Sequence, residues 1–196
     1  MEKLAGRITN IVLLGFFSML CSLPIVTAGA SFTALNKATK AYLYENEDKP
    51  LRTFFNTFKD KFKLSTLVWL LHLVFIAVLV WDFVYYRTGD DTISILASAG
   101  IFVLLMFVLF EVSLVFVIIG EDMADDIPKA MKTALDVAMD SFWQCLMIIV
   151  LYAAVILTSL FLFRGLIFFA PGLMAFLAWQ ILPEMLKRYK YRKKRP

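Results

Sequence analysis

Five apolar runs divide the chain: Ile8–Val26, Leu64–Tyr86, Ile93–Ile119, Trp143–Phe163 and Leu166–Leu182. Each is long enough, or nearly so, to cross the roughly 30 Å hydrocarbon layer as a helix. Between them lie stretches in which apolar and polar residues alternate with a helical period. From Leu51 to Phe62, Phe54, Phe55, Phe58 and Phe62 recur on one side, with Arg52, Asn56, Lys59, Asp60 and Lys61 on the other. From Pro128 to Phe142, Met131, Ala134, Leu135, Ala138 and Met139 form one face with Phe142, and Ile127 just precedes it. Lys129, Lys132, Asp136 and Asp140 form the opposite face. Ser31–Tyr44 is a third helical stretch carrying Lys37 and Lys40. The pattern predicts an all-α, polytopic membrane helical bundle. It has five transmembrane helices, with amphipathic helices at 31–44, 51–62 and 128–142 on one membrane face.

Composition sharpens this reading. The 196 residues are 61% hydrophobic and only 18% charged, against about a quarter charged in soluble domains. One membrane domain spanning 1–196 accounts for the length. The net charge is +4, and its placement carries more information than its sum. With five spans and the N-terminus outside, 16 of the 20 Lys and Arg fall on the inner side, including seven in the tail Lys187–Pro196. The positive-inside rule then puts the C-terminus and the amphipathic helices in the cytosol. The tail reads as a segment touching anionic lipid headgroups, not nucleic acid. A competing reading makes the first run a signal peptide, with Lys3 and Arg7 before it and Ala28-Gly29-Ala30 as the cleavage site. It would place the basic segment Lys37–Lys63 outside, against the same charge rule, so the run is read as retained.

Candidate chemistry is sparse. Cys21 and Cys145 lie in apolar runs, without a spacing that implies a disulfide or a zinc site. There is one histidine and no Gly-rich phosphate loop, zinc-protease or nucleophile-elbow motif, so no enzyme activity, metal or cofactor is expected. Two ionisable residues fall deep inside spans, His72 and Glu111. Each is eight residues, about 12 Å, from the cytosolic end of its run, so they share a depth on adjacent antiparallel helices. Burial of such groups is costly, and the pair reads as either a proton or cation site or a structural clasp. Glu121, Asp122, Asp125 and Asp126 read as a solvated turn with a helix cap, or as a weak divalent-cation site. Pro50 and Pro128 each open an amphipathic helix followed by two spans, a faint internal repeat.

The elbow between the first run and its successor is the other singular stretch. Pro24 ends or bends the first helix, and Thr27 or Ser31 can cap the next. With Gly29 in the elbow, Thr27, Ala30, Ser31, Ala34, Ala38 and Ala41 make a stripe of small residues that allows close helix approach, within the chain or to a docking partner. The expectation is that this elbow is the cytosolic exit of the first span.

Leu23-Pro24-Ile25-Val26-Thr27-Ala28-Gly29-Ala30-Ser31 with Thr33-Ala34-Leu35, and then Phe54-Phe55-Asn56-Thr57-Phe58-Lys59-Asp60-Lys61-Phe62-Lys63, resemble the YesL-like family of bacterial integral membrane proteins. The resemblance covers about the first third of the chain. It implies a bacterial plasma-membrane protein of unassigned activity, often encoded near carbohydrate-uptake genes, and supplies no catalytic residues. Two functions follow as expectations. One is an accessory or regulatory subunit that contacts the permease subunits of a carbohydrate ABC importer. The other is a small solute, proton or cation transporter or channel using His72 and Glu111, with Pro171-Gly172 loosening the fifth span. A membrane scaffold is the plainer third.

Overall fold

The computed structural model describes residues 2–89, 91–161 and 169–193, the side chains of residues 2–8, 160 and 161 excepted. Among these the chain is helical and no strand occurs. The helices are α1 (Glu2–Ser22), α2 (Ala28–Tyr44), α3 (Pro50–Arg87), α4 (Thr92–Gly120), α5 (Ile127–Asp140), α6 (Phe142–Phe161), α7 (Ala170–Ala178) and α8 (Leu182–Lys193), with a short 3-10 turn at Ile25–Thr27. The turn expected at Arg164-Gly165 and the start of the fifth run at 166–168 lie outside the described residues.

Among the described residues, three helices are long and apolar enough to cross a membrane: Pro50–Arg87, Thr92–Gly120 and Phe142–Ser159. This supports a membrane-embedded helical protein; the described residues do not show all five of the expected spans. The described apolar part of α1 is Thr9–Ser22, about 21 Å long. The described part of the fifth run is the nine-residue α7. Pro171 does not interrupt a span. It sits in the first turn of α7, where its missing N–H has no helical partner to lose.

The amphipathic stretches are also arranged differently from the expectation. Residues 51–62 and 64–86 form one unbroken helix, α3, about 57 Å long. Nothing between Lys61 and Ser65 breaks a helix, so the change from amphipathic to apolar composition happens along one rod. Helices α5 and α6, by contrast, part at Ser141, so the two units of the suspected repeat differ. Residues 31–44 are no surface helix. In α2, Ala30, Ser31, Thr33, Ala34 and Ala38 have essentially no exposure, which makes α2 the centre of the fold. In α5 the small residues Ala130, Ala134, Val137 and Ala138 face inward. Leu135 and Met139 of the same expected apolar face, with Phe142 beyond it, are exposed.

Helix α2 runs antiparallel to α3. Gly29 meets Ser65 and Trp69, while Ala34, Leu35 and Ala38 share a core cluster with Phe54. Helix α1 folds back along α2 in the same sense: Ser18 bonds Ser31, and Leu14 joins the Leu35–Ala38 cluster. The last turns of α4, from Val112 to Gly120, close the other side of α2, with Phe116 beside Phe32. One end of the bundle therefore collects the charges of α2, α3 and the α4–α5 turn. At the far end, α3 and α4 continue as a hairpin with Phe83 against Phe102.

Candidate functional site

The elbow is the tip of the α1–α2 hairpin. Trp69 Nε1–H donates to the Ile25 carbonyl oxygen at 2.6 Å. Trp69 lies eight residues, about 12 Å, along α3 from the charged cluster at Lys61, so the tip lies within the apolar zone. This corrects the expectation of a cytosolic exit. It is the C-terminal half of α2, with Lys37 and Lys40, that reaches the charged end. The reason is the antiparallel packing of α1 on α2, which local sequence does not encode. Pro24 makes the turn and is exposed with Leu23, Ile25 and Val26. Thr27 does not cap α2. Its hydroxyl donates back to the carbonyls of Cys21 (2.5 Å) and Pro24 (2.8 Å), holding the reversal closed. Ser31 Oγ donates to the Ser18 carbonyl at 2.7 Å.

The small-residue stripe is consumed inside the chain. A Cβ on Gly29 would lie 2.5 Å from the Ser65 carbonyl oxygen and 2.6 Å from Trp69 Cβ. Ala30 and Ala34 are fully buried. A second close approach involves Gly172, where a Cβ would fall 2.5 Å from the Ile11 carbonyl oxygen and 2.9 Å from Gly15 Cα. The sequence reading took Gly172 as a loosening element, whereas it lets α7 lie directly on α1. The signal was available as two glycines in separate apolar runs, but their pairing depends on the fold.

The charged end is a set of paired ions. Glu121 and Asp122 accept from Lys40 and Lys61, and Lys37 lies 3.5 Å from Asp122. Lys40 also pairs with Glu45 at 2.9 Å. Asp122 takes a left-handed backbone (φ 55°), turning the chain so that two successive acidic residues face α2 and α3. The Lys61 ammonium, with Lys37 behind it, holds the Asp122 carboxyl below its ordinary range. Burial works against the Lys40 ammonium, but Glu121 and Glu45 outweigh it and raise its pKa. Asp125 pairs with Lys129 at 3.4 Å, and Asp126 sits at the N-cap of α5 without a side-chain cap bond. Three of the four carboxylates are thus engaged by lysines, and among the described residues no group of three metal-ligating side chains assembles.

His72 and Glu111 meet. His72 Nε2 and Glu111 Oε2 are 2.8 Å apart, and both residues are buried. His72 Nδ1 is 2.8 Å from the Val68 carbonyl oxygen. A carbonyl can only accept, so Nδ1 carries a proton. One further proton is then shared between Nε2 and Oε2. Whether the result is imidazolium–carboxylate or imidazole–carboxylic acid, the pair is neutral overall. It lies at the floor of a cavity of about 370 Å³. The walls are Leu71, Val74, Phe75 and Val78 of α3, Val108 of α4 and Met131 of α5. Glu111 Oε1 makes no hydrogen bond to any described residue.

A second cavity of about 530 Å³ separates α5 from α8 at the charged end. Lys129, Lys132, Arg192 and Lys193 line it with Asp136 and Asp140, and Arg192 pairs with Asp140. This places part of the basic tail beside the amphipathic helix α5 with its exposed Met139, a combination that the sequence pattern showed only as a charge run.

The fold and its sites define a class: a helical protein with lipid-type apolar surfaces, a charged end tied by ion pairs and a buried ionisable pair, His72 and Glu111, in the apolar zone. Residues 8–83 match the family model DUF624, a protein family of unknown function. The matched part holds the α1–α2 hairpin and most of α3, including His72, but not Glu111. No curated protein and no solved structure matches the chain.

Proposed function

We propose that the protein is an accessory or regulatory membrane subunit that acts by lateral association with another membrane protein. One observation carries this reading, the division of its surfaces. Glu121 and Asp122 of the α4–α5 turn are paired with Lys37, Lys40 and Lys61, and the small-residue stripe is buried. Apolar surface remains for a partner: the elbow tip, with Leu23 69% and Ile25 66% exposed, and the outer faces of α3 and α4. The resemblance to YesL-like proteins supports the permease of a carbohydrate ABC importer as the partner. Lys129, Lys132 and the basic residues of α8 support contact of the charged end with anionic headgroups in a bacterial plasma membrane. With α1 folded back on α2, we place both ends of that hairpin, and so the N-terminus as well as the tail, on the cytosolic side. Lys3 and Arg7 then join the basic residues on that side.

Purification in mild detergent with identification of co-purifying proteins tests the proposal. A permease is expected in the wild-type preparation, and Ile25→Lys at the exposed tip is expected to reduce its recovery. Recovery of the protein alone, under conditions that keep known importers assembled, counts against it. Transport is the second reading, favoured by the shared proton of His72 and Glu111. Proton or cation flux in liposomes that Glu111→Gln abolishes is its expected result, and no flux across a broad solute panel removes it.

A further inference from the structure

The cavity above the His72–Glu111 pair has walls of one kind and a floor of another. Val74 and Val78 are 66% and 53% exposed, so the cavity opens sideways along the apolar face of α3. Its mouth faces whatever surrounds the apolar zone, which in a membrane is lipid. Where Glu111 lines the cavity its side chain is 11% exposed, and Oε1 has no hydrogen-bond partner among the described residues. A carboxyl oxygen that faces an apolar cavity without a donor is less stable than a bonded one. Lipid chains cannot supply a donor, and the aliphatic walls hold none.

We infer that this cavity is a binding site for a neutral lipid alcohol, a membrane-resident molecule with an apolar chain and a hydroxyl group. The hydroxyl donates to Glu111 Oε1, and the chain lies along Val74, Phe75 and Val78. Three features select this class. The walls exclude a polar body. The free oxygen can accept but not donate, so it wants a donor such as a hydroxyl. The pair is already neutral, so a neutral hydroxyl leaves no net charge buried, whereas an ammonium would. The volume is near the lower end of small-molecule sites, which suits one chain segment and its hydroxyl, not a whole two-chain lipid. The inference is independent of the accessory role proposed above.

The test uses the full chain in detergent–lipid micelles. A photoactivatable diacylglycerol, with its free hydroxyl, is compared with the same molecule methylated at that oxygen. The hydroxyl probe is expected to label α3 around Phe75, with at least a five-fold loss for the methyl ether. Val78→Trp fills the mouth from an exposed position that the fold does not need, and labelling is expected to fall by a similar factor. Glu111→Gln keeps the shape and serves as a second variant, with its folding checked by thermal unfolding. Equal labelling by both probes would overturn the inference, since any annular lipid would behave so. Labelling that Val78→Trp leaves unchanged would also overturn it. So would a Val78→Trp variant that loses a co-purifying protein but keeps the label, because the occupant would then be a partner helix.

Discussion

The two ends of α4 are both apolar and have opposite surroundings. From Val115 to Ile119 the side chains are almost wholly buried, while Ile93, Leu96 and Val103 are 77%, 68% and 68% exposed. Helix α3 repeats the contrast, with Phe54 and Val68 enclosed and Val74, Val78 and Trp81 bare. Apolar content therefore does not decide where the chain packs. Lipid tails are as apolar as Leu, so helices in a membrane gain little by burying Leu against Leu. What distinguishes the packed region is α2, whose small residues and short polar bonds meet its neighbours. Gly29, Ala30, Ala34 and Ala38 let α2 lie against α1 and α3, and Ser18–Ser31 and Thr33–Ser65 bond across the contacts at 2.9 Å. The far hairpin has no such stripe facing a third helix.

Matched substitutions in the two halves should break this contrast cleanly. Gly29→Leu drives a side chain into the Ser65 carbonyl and Trp69. The expected result is loss of folded protein, a cost beyond about 4 kcal/mol, read as failure to survive size-exclusion chromatography in detergent. His72→Ala leaves Glu111 buried without its partner and is expected to cost about 3–5 kcal/mol in detergent unfolding. Replacing both residues by Leu and Met should recover most of that loss, since the penalty belongs to the unpaired charge. A double variant as unstable as the single one would refute the clasp reading.

Smaller effects sharpen the comparison. The Asp122 carboxyl is held below its ordinary value near 3.9, so its contribution is present above that pH and lost as pH falls through its folded value. The Lys40 pKa is raised, so its contribution is present below its ordinary value near 10.4 and lost as pH rises through its folded value. The melting temperature is expected to be nearly flat from about pH 5 to 10 on account of these groups and to drop on both sides. Lys61→Ala should remove part of the acid limb. A melting temperature that ignores acid down to about pH 3 would deny the ion-pair cluster any role. The mildest case is Gly100→Ala in the far hairpin, where an added Cβ meets nothing within 4 Å. Helix propensity alone should stabilise it by about 0.5–1 kcal/mol, and destabilisation there would show that the bare half is packed after all.

Much of the plan was legible from residue order. Uncharged runs of sufficient length announced α3, α4 and α6, because the cost of burying a charge in hydrocarbon is a local property of sequence. Equal depth of His72 and Glu111 followed from counting 1.5 Å per residue on two antiparallel helices, and the structure brings them to 2.8 Å. Pro50 and Pro128 marked helix starts, since proline's missing donor is tolerated in the first turn.

Tertiary structure decided the remainder. The direction in which α1 leaves the elbow depends on whether it lies along α2 or away from it, and a proline turn permits both. That choice moved the elbow from the charged end into the apolar zone and turned α2 from a surface helix into the core. The contact of Gly172 with Gly15, and the pairing of Glu121 and Asp122 with lysines of α2 and α3, join residues more than sixty positions apart. No local rule specifies them. Periodicity reports which side of a helix is apolar. In a chain whose surroundings are as apolar as its core, it does not report which apolar side meets protein. Close approach of backbones settles that, and it belongs to pairs of helices and not to any one segment.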